Sequence, residues 1–463
     1  MGYRRREIAA GRKFSQELRL EALSQVVPAE TVAAVLAAQG VAAERERKLN
    51  MVVTVFLVIG MHLFSHLCLG AVLAKLAKGL RSVWWDPEYP VAGDRAISSR
   101  RSQVGARPLV ALFQQVCRPL ATAETRGAFL GGLRLMAIDG TVETAPDTPA
   151  NAAVFGRQIG PRGARALPQI QAVSLAECGT HASVEAGFWP DQTSERVGGF
   201  RMLCSVGPGM LVRWDWGFHD DDLFARTRQR DAQVLARLPD SARPTSVRAL
   251  PDGSSLASLS PSDDKRRRRG ERLLVRIIED TITDPALPGS GQTHRLITTL
   301  VDHRAFPALD LAWASHERWE LELVIDETDP HHRLAGRPLR SLTPVGVIHE
   351  RYGLLIAHSA IRALRPQAAL QADLDPDRLS FVHALEVLRD AIPAFHMTAP
   401  AHLPALMARR LRDLAARPLP PRRLRSNPRV VKRKLSTFKL KRPHHDHWPQ
   451  PAAHSFRAAL ALI

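Results

Sequence analysis

The sequence predicts an α+β / α/β protein. A helical N-terminal domain comes first, then a mixed-sheet domain interrupted by a β-rich insertion, then a helical C-terminal part with a basic tail. Three observations carry this reading. Residues 1 to about 125 follow helical periods and nowhere alternate like a strand. From Leu133 the pattern changes to short β-rich runs bounded by turn residues. Helical periodicity resumes at LDLAWASHERWELELVIDE. With 463 residues there is room for two or three domains, divided as 1–125, 126–234, 235–305, 306–400 and 401–463.

In the first segment, SQELRLEAL and AETVAAVLAAQ read as amphipathic helices. The run MVVTVFLVIGMHLFSHLCLGAVLAKL, beginning at Met51, is long enough to cross a bilayer. His62, Ser65 and His66 interrupt it near its middle, so it reads as a buried helix pair, with a membrane-associated helical protein as the alternative. ISSRRSQVGARPLVALFQQV offers Ser98 or Ser99 as a helix cap and Gly105 as a break, a helix-turn-helix in outline.

Four strands follow: LRLMAI from Leu133, QIQAVSL from Gln169, HASVEAGF from His181 and MLVRW from Met210. ECGT joins the second and third as a hairpin, and SERVGGFRMLCSV reads as a helix that Ser194 can cap. The insertion shows a turn at PDGSS, an exposed loop at SPSDDKRRRRG, and two β-rich runs, LLVRIIEDTI and HRLITTLVD. GVIHERYGLLIAHSAIRAL and SFVHALEVLRDAI read as helices, and the Pro- and Arg-rich tail beyond about 400 as poorly ordered.

Charge narrows the class of partner. Lys and Arg number 64 against 46 Asp and Glu, a net +18. Thirteen of those eighteen charges come from residues 409–442, which hold fourteen basic residues and only Asp413 as an acid. Lys265 to Arg269 is a second basic run. This balance points to a polyanion, either nucleic acid or an anionic membrane surface. The cysteines, at 68, 117, 178 and 204, lie far apart, which fits reduced, mostly buried thiols rather than a disulfide frame or zinc ribbon. The tail cluster His444, His445, Asp446, His447 lacks the spacing of a closed metal site. No targeting signal is evident, and the cysteine usage fits a cytosolic protein.

The chemistry centres on three carboxylates. In LRLMAIDGTV a buried apolar strand ends on Asp139, and a carboxylate there is costly unless something pairs with it. The plain alternative is an Asp-Gly turn. The fourth strand ends the same way, with LVRW leading into Asp215 and then Trp216 and Gly217. If those strands are neighbours, the two carboxylates repel, and a divalent cation such as Mg²⁺, which favours oxygen ligands, relieves the repulsion. In WASHERWELELVIDE a helix would put Arg318 and Glu322 on one face. An exposed, salt-bridged helix is the alternative there, yet Glu322 is the natural third ligand, with Glu320 or Asp326 taking its role if the helix phase differs.

These residues resemble the DDE transposases of bacterial insertion sequences, specifically the large insertion-element group with an RNase H-like catalytic domain. AIDGT with PDTPANAAVFGR resembles the first motif, and DWGF the second, with Trp216 where the family has Arg. ERWELELVIDE resembles the third, in which Arg precedes the catalytic Glu by four. LRSLTPVGVIHERYGLLIAHSAIR and NPRVVKRKLS extend the likeness, which runs from about residue 27 to the C-terminus. Ser315 and Asp329 replace the family's usual Tyr and Lys, which moves a phosphate contact to Arg333 or Arg337.

The resemblance implies Mg²⁺-dependent cleavage and strand transfer, with Mn²⁺ as a substitute, catalysed by Asp139, Asp215 and Glu322, which also hold the metal. It implies double-stranded DNA as partner, both terminal inverted repeats and target, and a homodimer in a synaptic complex. Relatives cut through a hairpin intermediate. Arg100 and Arg101 in the N-terminal domain, and Lys265 and Arg266 in the insertion, would contact DNA beside Arg318. Trp313 or Trp319 would stack on an extruded base or pack in the core. A catalytically decayed, DNA-binding descendant is the rival reading.

Overall fold

The computed structural model describes residues 4–41, 48–160, 163–261, 263–316, 327, 339–420, 424, 426 and 442–463. In chain order, helices α1 (Ala29–Ala38), α2 (Met51–Leu63), α3 (Leu69–Arg81), α4 (Asp94–Val104) and α5 (Arg107–Val116) come first. Strands β1 (Leu133–Thr144), β2 (Gln169–Glu177) and β3 (Ser183–Pro190), helix α6 (Glu195–Met202) and strand β4 (Met210–Trp214) follow. Next are α7 (Asp221–Arg228), β5 (Gln233–Arg237), β6 (Thr245–Ala249), β7 (Ser255–Leu259), α8 (Asp264–Arg268), β8 (Leu273–Ile282), β9 (Thr293–Thr298) and α9 (Ala308–His316). The chain closes with α10 (Pro344–Gln371), α11 (Phe381–Met397), α12 (Leu403–Ala415) and β10 (Leu460–Leu462). The α+β class, the helical start and the helical C-terminal part are as the sequence predicts.

The chain divides into two compact units. The first comprises Met1–Phe129, Arg134–Ser205 and Glu320–Leu419. Its helical core is built around α2 and α10. Leu57, Val58 and Ile59 are consecutive and fully buried, so α2 is apolar all round because it lies inside the protein. Burying each such side chain contributes roughly 1.5–3 kcal/mol. Asn50 starts α2 by accepting the Val53 N–H at 2.8 Å. The apolar run splits into α2 and α3 as expected, and among the described residues no helix is long and apolar enough to cross a membrane. α10 crosses α2 at Gly353, where a Cβ would sit 2.6 Å from Val58 Cγ1, so any larger residue would push the two helices apart. In the same unit β1, β2 and β3 form an antiparallel array in the order β3-β2-β1. The ECGT hairpin and the Ser194 cap on α6, which accepts the Val197 N–H, form as expected.

The second unit comprises Leu130–Leu133, Val206–Trp319 and Pro420–Ile463. Its strands run in the order β4-β5-β9-β8-β7-β6. β4 and β5 are parallel, and the remaining neighbours are antiparallel. The β-rich insertion is therefore one continuous sheet rather than isolated runs.

Five local expectations change: SQELRLEAL is not one helix but the four-residue helix Phe14–Glu17 followed by the 3₁₀ turn Glu21–Leu23. β1 does not stop at Asp139 but continues through Gly140 to Thr144. α4 starts after Gly93, not at Ser98 or Ser99, although it does break at Gly105. SPSDDKRRRRG contains α8, capped by Asp263, which accepts the Arg266 N–H at 2.9 Å. The tail carries α12 and also β10, whose Leu462 pairs with Asp280 of β8. Of the cysteines, Cys117 and Cys178 are buried, while Cys68 and Cys204 are exposed.

Candidate active site

Asp139 lies opposite Ser174 in the β1–β2 register. Leu135 to Ile138 are buried in succession, so this strand is covered on both faces until it reaches the half-buried Asp139. Oδ1 of Asp139 accepts the N–H of Gly140 at 2.8 Å, which orients the carboxylate. Gly140 is not a turn residue. A Cβ there would lie 2.8 Å from Oε1 and 2.9 Å from Cγ of Glu195, the first residue of α6. The glycine after Asp139 makes room for that side chain. Sequence reasoning missed Glu195, because an acid in the first turn of a helix is ordinarily explained by the helix dipole.

The far end of β1 is fixed to the helical core. Glu143, four residues beyond Asp139 and on the same strand face, forms a buried ion pair with Arg351 of α10. The Arg351 guanidinium also lies 5.3 Å from the centre of the Phe188 ring. Asp139 is thus carried by a strand tied down beyond it.

Asp215 does end its strand. It caps the single 3₁₀ turn Trp216–Phe218, with Oδ1 accepting the Trp216 N–H at 2.6 Å. Phe218 is buried beneath the turn, and Trp214 packs edge-on against Phe224 at 5.3 Å. Trp216, in the place of the family's Arg, is 60% exposed. Arg213, two residues before Asp215, is only 2% exposed. Its guanidinium has no hydrogen-bond or ion-pair partner among the described residues. As one residue of a β-rich run, it gave no sequence signal.

Glu322 lies outside the described residues, as do Arg318, Arg333, Arg337, Trp319, Glu320 and Asp326. Five residues beyond Glu322, Glu327 is buried and bound from α10. It accepts from Arg362 Nε at 2.7 Å, and its Oε2 lies 3.0 Å from His358 Nε2. Burial alone would raise this carboxyl. The charge of Arg362, then the hydrogen bond and charge of His358, outweigh burial and hold it at about 2. Among the described residues the one group of three potential metal ligands lies elsewhere, at Asp280, His294 and His316.

The residues expected to meet DNA divide by exposure. Arg100 is buried and donates to Gln103 Oε1 at 2.8 Å. Arg101 is half-buried and donates to Ser341 Oγ at 3.1 Å. Arg266 is held by Asp222 and by Glu271, the latter at 2.7 Å. Lys265, Arg267, Arg268 and Arg269 are exposed on and just after α8. Trp313 packs in a core cluster, with Arg457 5.6 Å from its ring centre.

The insertion element 4 transposase N-terminal family matches residues 17–114. The chain is 26% identical over 423 residues to transposase InsG for insertion sequence element IS4 of Escherichia coli K12, covering 89% of this chain and 92% of the relative. A cryo-EM structure of the piggyBac transposase synaptic complex with hairpin DNA is similar with a TM-score of 0.41 and 10% identity, over 90% of this chain and 88% of that one. The likeness to bacterial insertion-sequence transposases, expected from about residue 27 to the C-terminus, thus extends along most of the chain.

Proposed function

We propose that this chain, a relative of the bacterial insertion element 4 transposases, binds the terminal inverted repeats of an insertion sequence and catalyses metal-dependent DNA strand cleavage and strand transfer. The similarity to an IS4 transposase over nearly the whole of both chains carries this reading. The motif order Asp139, Asp215, Glu322 along the chain supports it.

In this reading Asp139, Asp215 and Glu322 form the reaction centre of an RNase H-like fold. The donor set fits Mg²⁺, or Mn²⁺ in its place. Asp139 and Asp215 are half-buried carboxylates on strand-borne backbone, each oriented by the next N–H, and a hard cation takes oxygen ligands. Bound ions supply activation of the attacking water and neutralisation of charge at phosphorus. The chain's own part is to hold those oxygens rigidly, β1 through Glu143 and Arg351, and the Asp215 turn through Phe218. Residues 1–125 would bind the DNA ends, 126–234 and 306–400 would form the catalytic core, and 235–305 would bring its exposed basic run to DNA. A homodimer would synapse two ends, in the bacterial cytoplasm.

Ser315, Trp216 and Asp329, which depart from the family pattern, favour the rival reading of a decayed DNA-binding protein. Cleavage of end-bearing DNA separates the two. With Mg²⁺ the native chain should cut. Asp139→Ala, Asp215→Ala and Glu322→Ala should each lose roughly 10³-fold or more, about 4 kcal/mol of transition-state stabilisation, while still shifting DNA in a gel. Native chain that binds ends yet never cuts them would establish the decayed reading instead.

A further inference from the structure

One cluster of metal-binding side chains has no part in the proposed reaction centre. Asp280 of β8 and His294 of β9 are directly paired across neighbouring strands, which puts their side chains on one face. His316, the last residue of α9, reaches the same carboxylate. Its Nε2 is 2.6 Å from Asp280 Oδ2, and His294 Nδ1 is 3.5 Å from that oxygen. The two imidazoles stand edge-to-face, with centres 4.9 Å apart. The ring of Phe456 lies 5.2 Å from that of His316, and Leu462 of β10 pairs with Asp280.

A hydrogen-bonded trio alone leaves this cluster unbalanced. Asp280 is 0% exposed, and its Oδ1 has no hydrogen-bond partner among the described residues. An unsatisfied buried carboxylate oxygen is costly. A cation among the three would engage it. All three ligand atoms lie within 4.8 Å of one another. Ligands at about 2.0–2.2 Å from a tetrahedral ion stand roughly 3.3 Å apart, so side-chain adjustments on the order of 1 Å would close the site. Two imidazoles and a carboxylate suit a borderline transition ion, whereas Mg²⁺ selects oxygen donors.

We propose that Asp280, His294 and His316 bind one divalent transition ion of the zinc class, which ties α9 to β8 and β9. Three protein ligands leave a fourth position for water or an added group. The role is structural. The ion fixes the C-terminal end of α9, six residues before Glu322 in the sequence.

The test uses the full chain made without an affinity histidine tag. After dialysis it should retain about one zinc per chain. Metal-free protein should melt higher when Zn²⁺ is restored, and Co²⁺ should give the visible absorption of a four-coordinate nitrogen–oxygen site. His294→Gln and His316→Gln should each weaken Zn²⁺ binding by more than about 100-fold. Asp280→Asn, which keeps the side chain's shape, should do the same. Joint replacement of His444, His445 and His447 by Gln should change nothing. A native chain that neither retains zinc nor responds to it overturns the proposal, whatever the variants do. Binding that survives His316→Gln, or vanishes with the tail histidines, overturns it equally.

Discussion

Two arginines are buried to almost the same degree, Arg362 at 1% exposure and Arg213 at 2%, and their surroundings are opposite. Arg362 donates to Glu327 at 2.7 Å and to His181 Nδ1 at 2.6 Å. Arg213 donates to nothing among the described residues. Burying a guanidinium costs several kcal/mol, which only close, well-aligned partners return. Arg362 is therefore explained by the fold around it. Among the described residues Arg213, two residues before Asp215, has no such partner.

Breaking the compensated half should have the largest effect. Glu327→Gln leaves Arg362 buried without its counter-charge and should destabilise the chain by about 3–5 kcal/mol, read as a lower denaturation midpoint. The same substitution fixes a pH signature. The Glu327 carboxyl lies at about 2 in the folded chain against an ordinary 4.5. Its contribution is fully present above pH 4.5 and is lost as pH falls through about 2. The stability difference between native chain and variant should shrink across that window. A difference that stays constant from neutral pH down to pH 2 would mean the ion pair does not hold α10 as drawn.

Removing Arg213 should run the other way. Arg213→Met keeps most of the side-chain volume and removes a charge that has no partner among the described residues, so stability should rise by about 1–4 kcal/mol while DNA cleavage falls. The two readouts together separate function from packing. If the melting temperature drops instead, Arg213 has a partner and the contrast with Arg362 fails.

The same contrast explains how much the sequence disclosed. β4 and β8 were legible to their end residues because a short apolar run closed by turn residues at both ends fits a buried strand and little else. The split between α2 and α3 was legible because His62, Ser65 and His66 interrupt an otherwise apolar run. What stayed hidden depends on partners far away in sequence. Gly140 looked like a turn because nothing nearby announces that Glu195 lies across it. α12 was masked by the basic composition around it, and β10, three residues long, is too short to show a strand pattern. Asp280, His294 and His316 are spaced too widely to form a motif, and only the β8–β9 register brings the first two together. Asp139 and Asp215 were singled out as candidates by their neighbours in the chain, whereas Arg213 sat inside MLVRW as one residue of a strand.

Compensation also sorts the basic run on α8, where the expected effect is smallest. Arg266 is held by Asp222 and Glu271 and is part of the local fold. Lys265, Arg268 and Arg269 are exposed, and Arg267 has only an exposed pairing with Asp264, worth little in water. Replacing those four by Gln should leave stability within about 0.5 kcal/mol of native. DNA affinity should fall at low salt. The slope of log affinity against log salt should flatten by about 0.9 for each phosphate that is no longer neutralised. Arg266→Gln alone should do the reverse, lowering stability with little change in slope. If the four-fold replacement leaves the slope untouched, this run does not meet DNA, and the charge that does must be sought among the basic residues of 409–442.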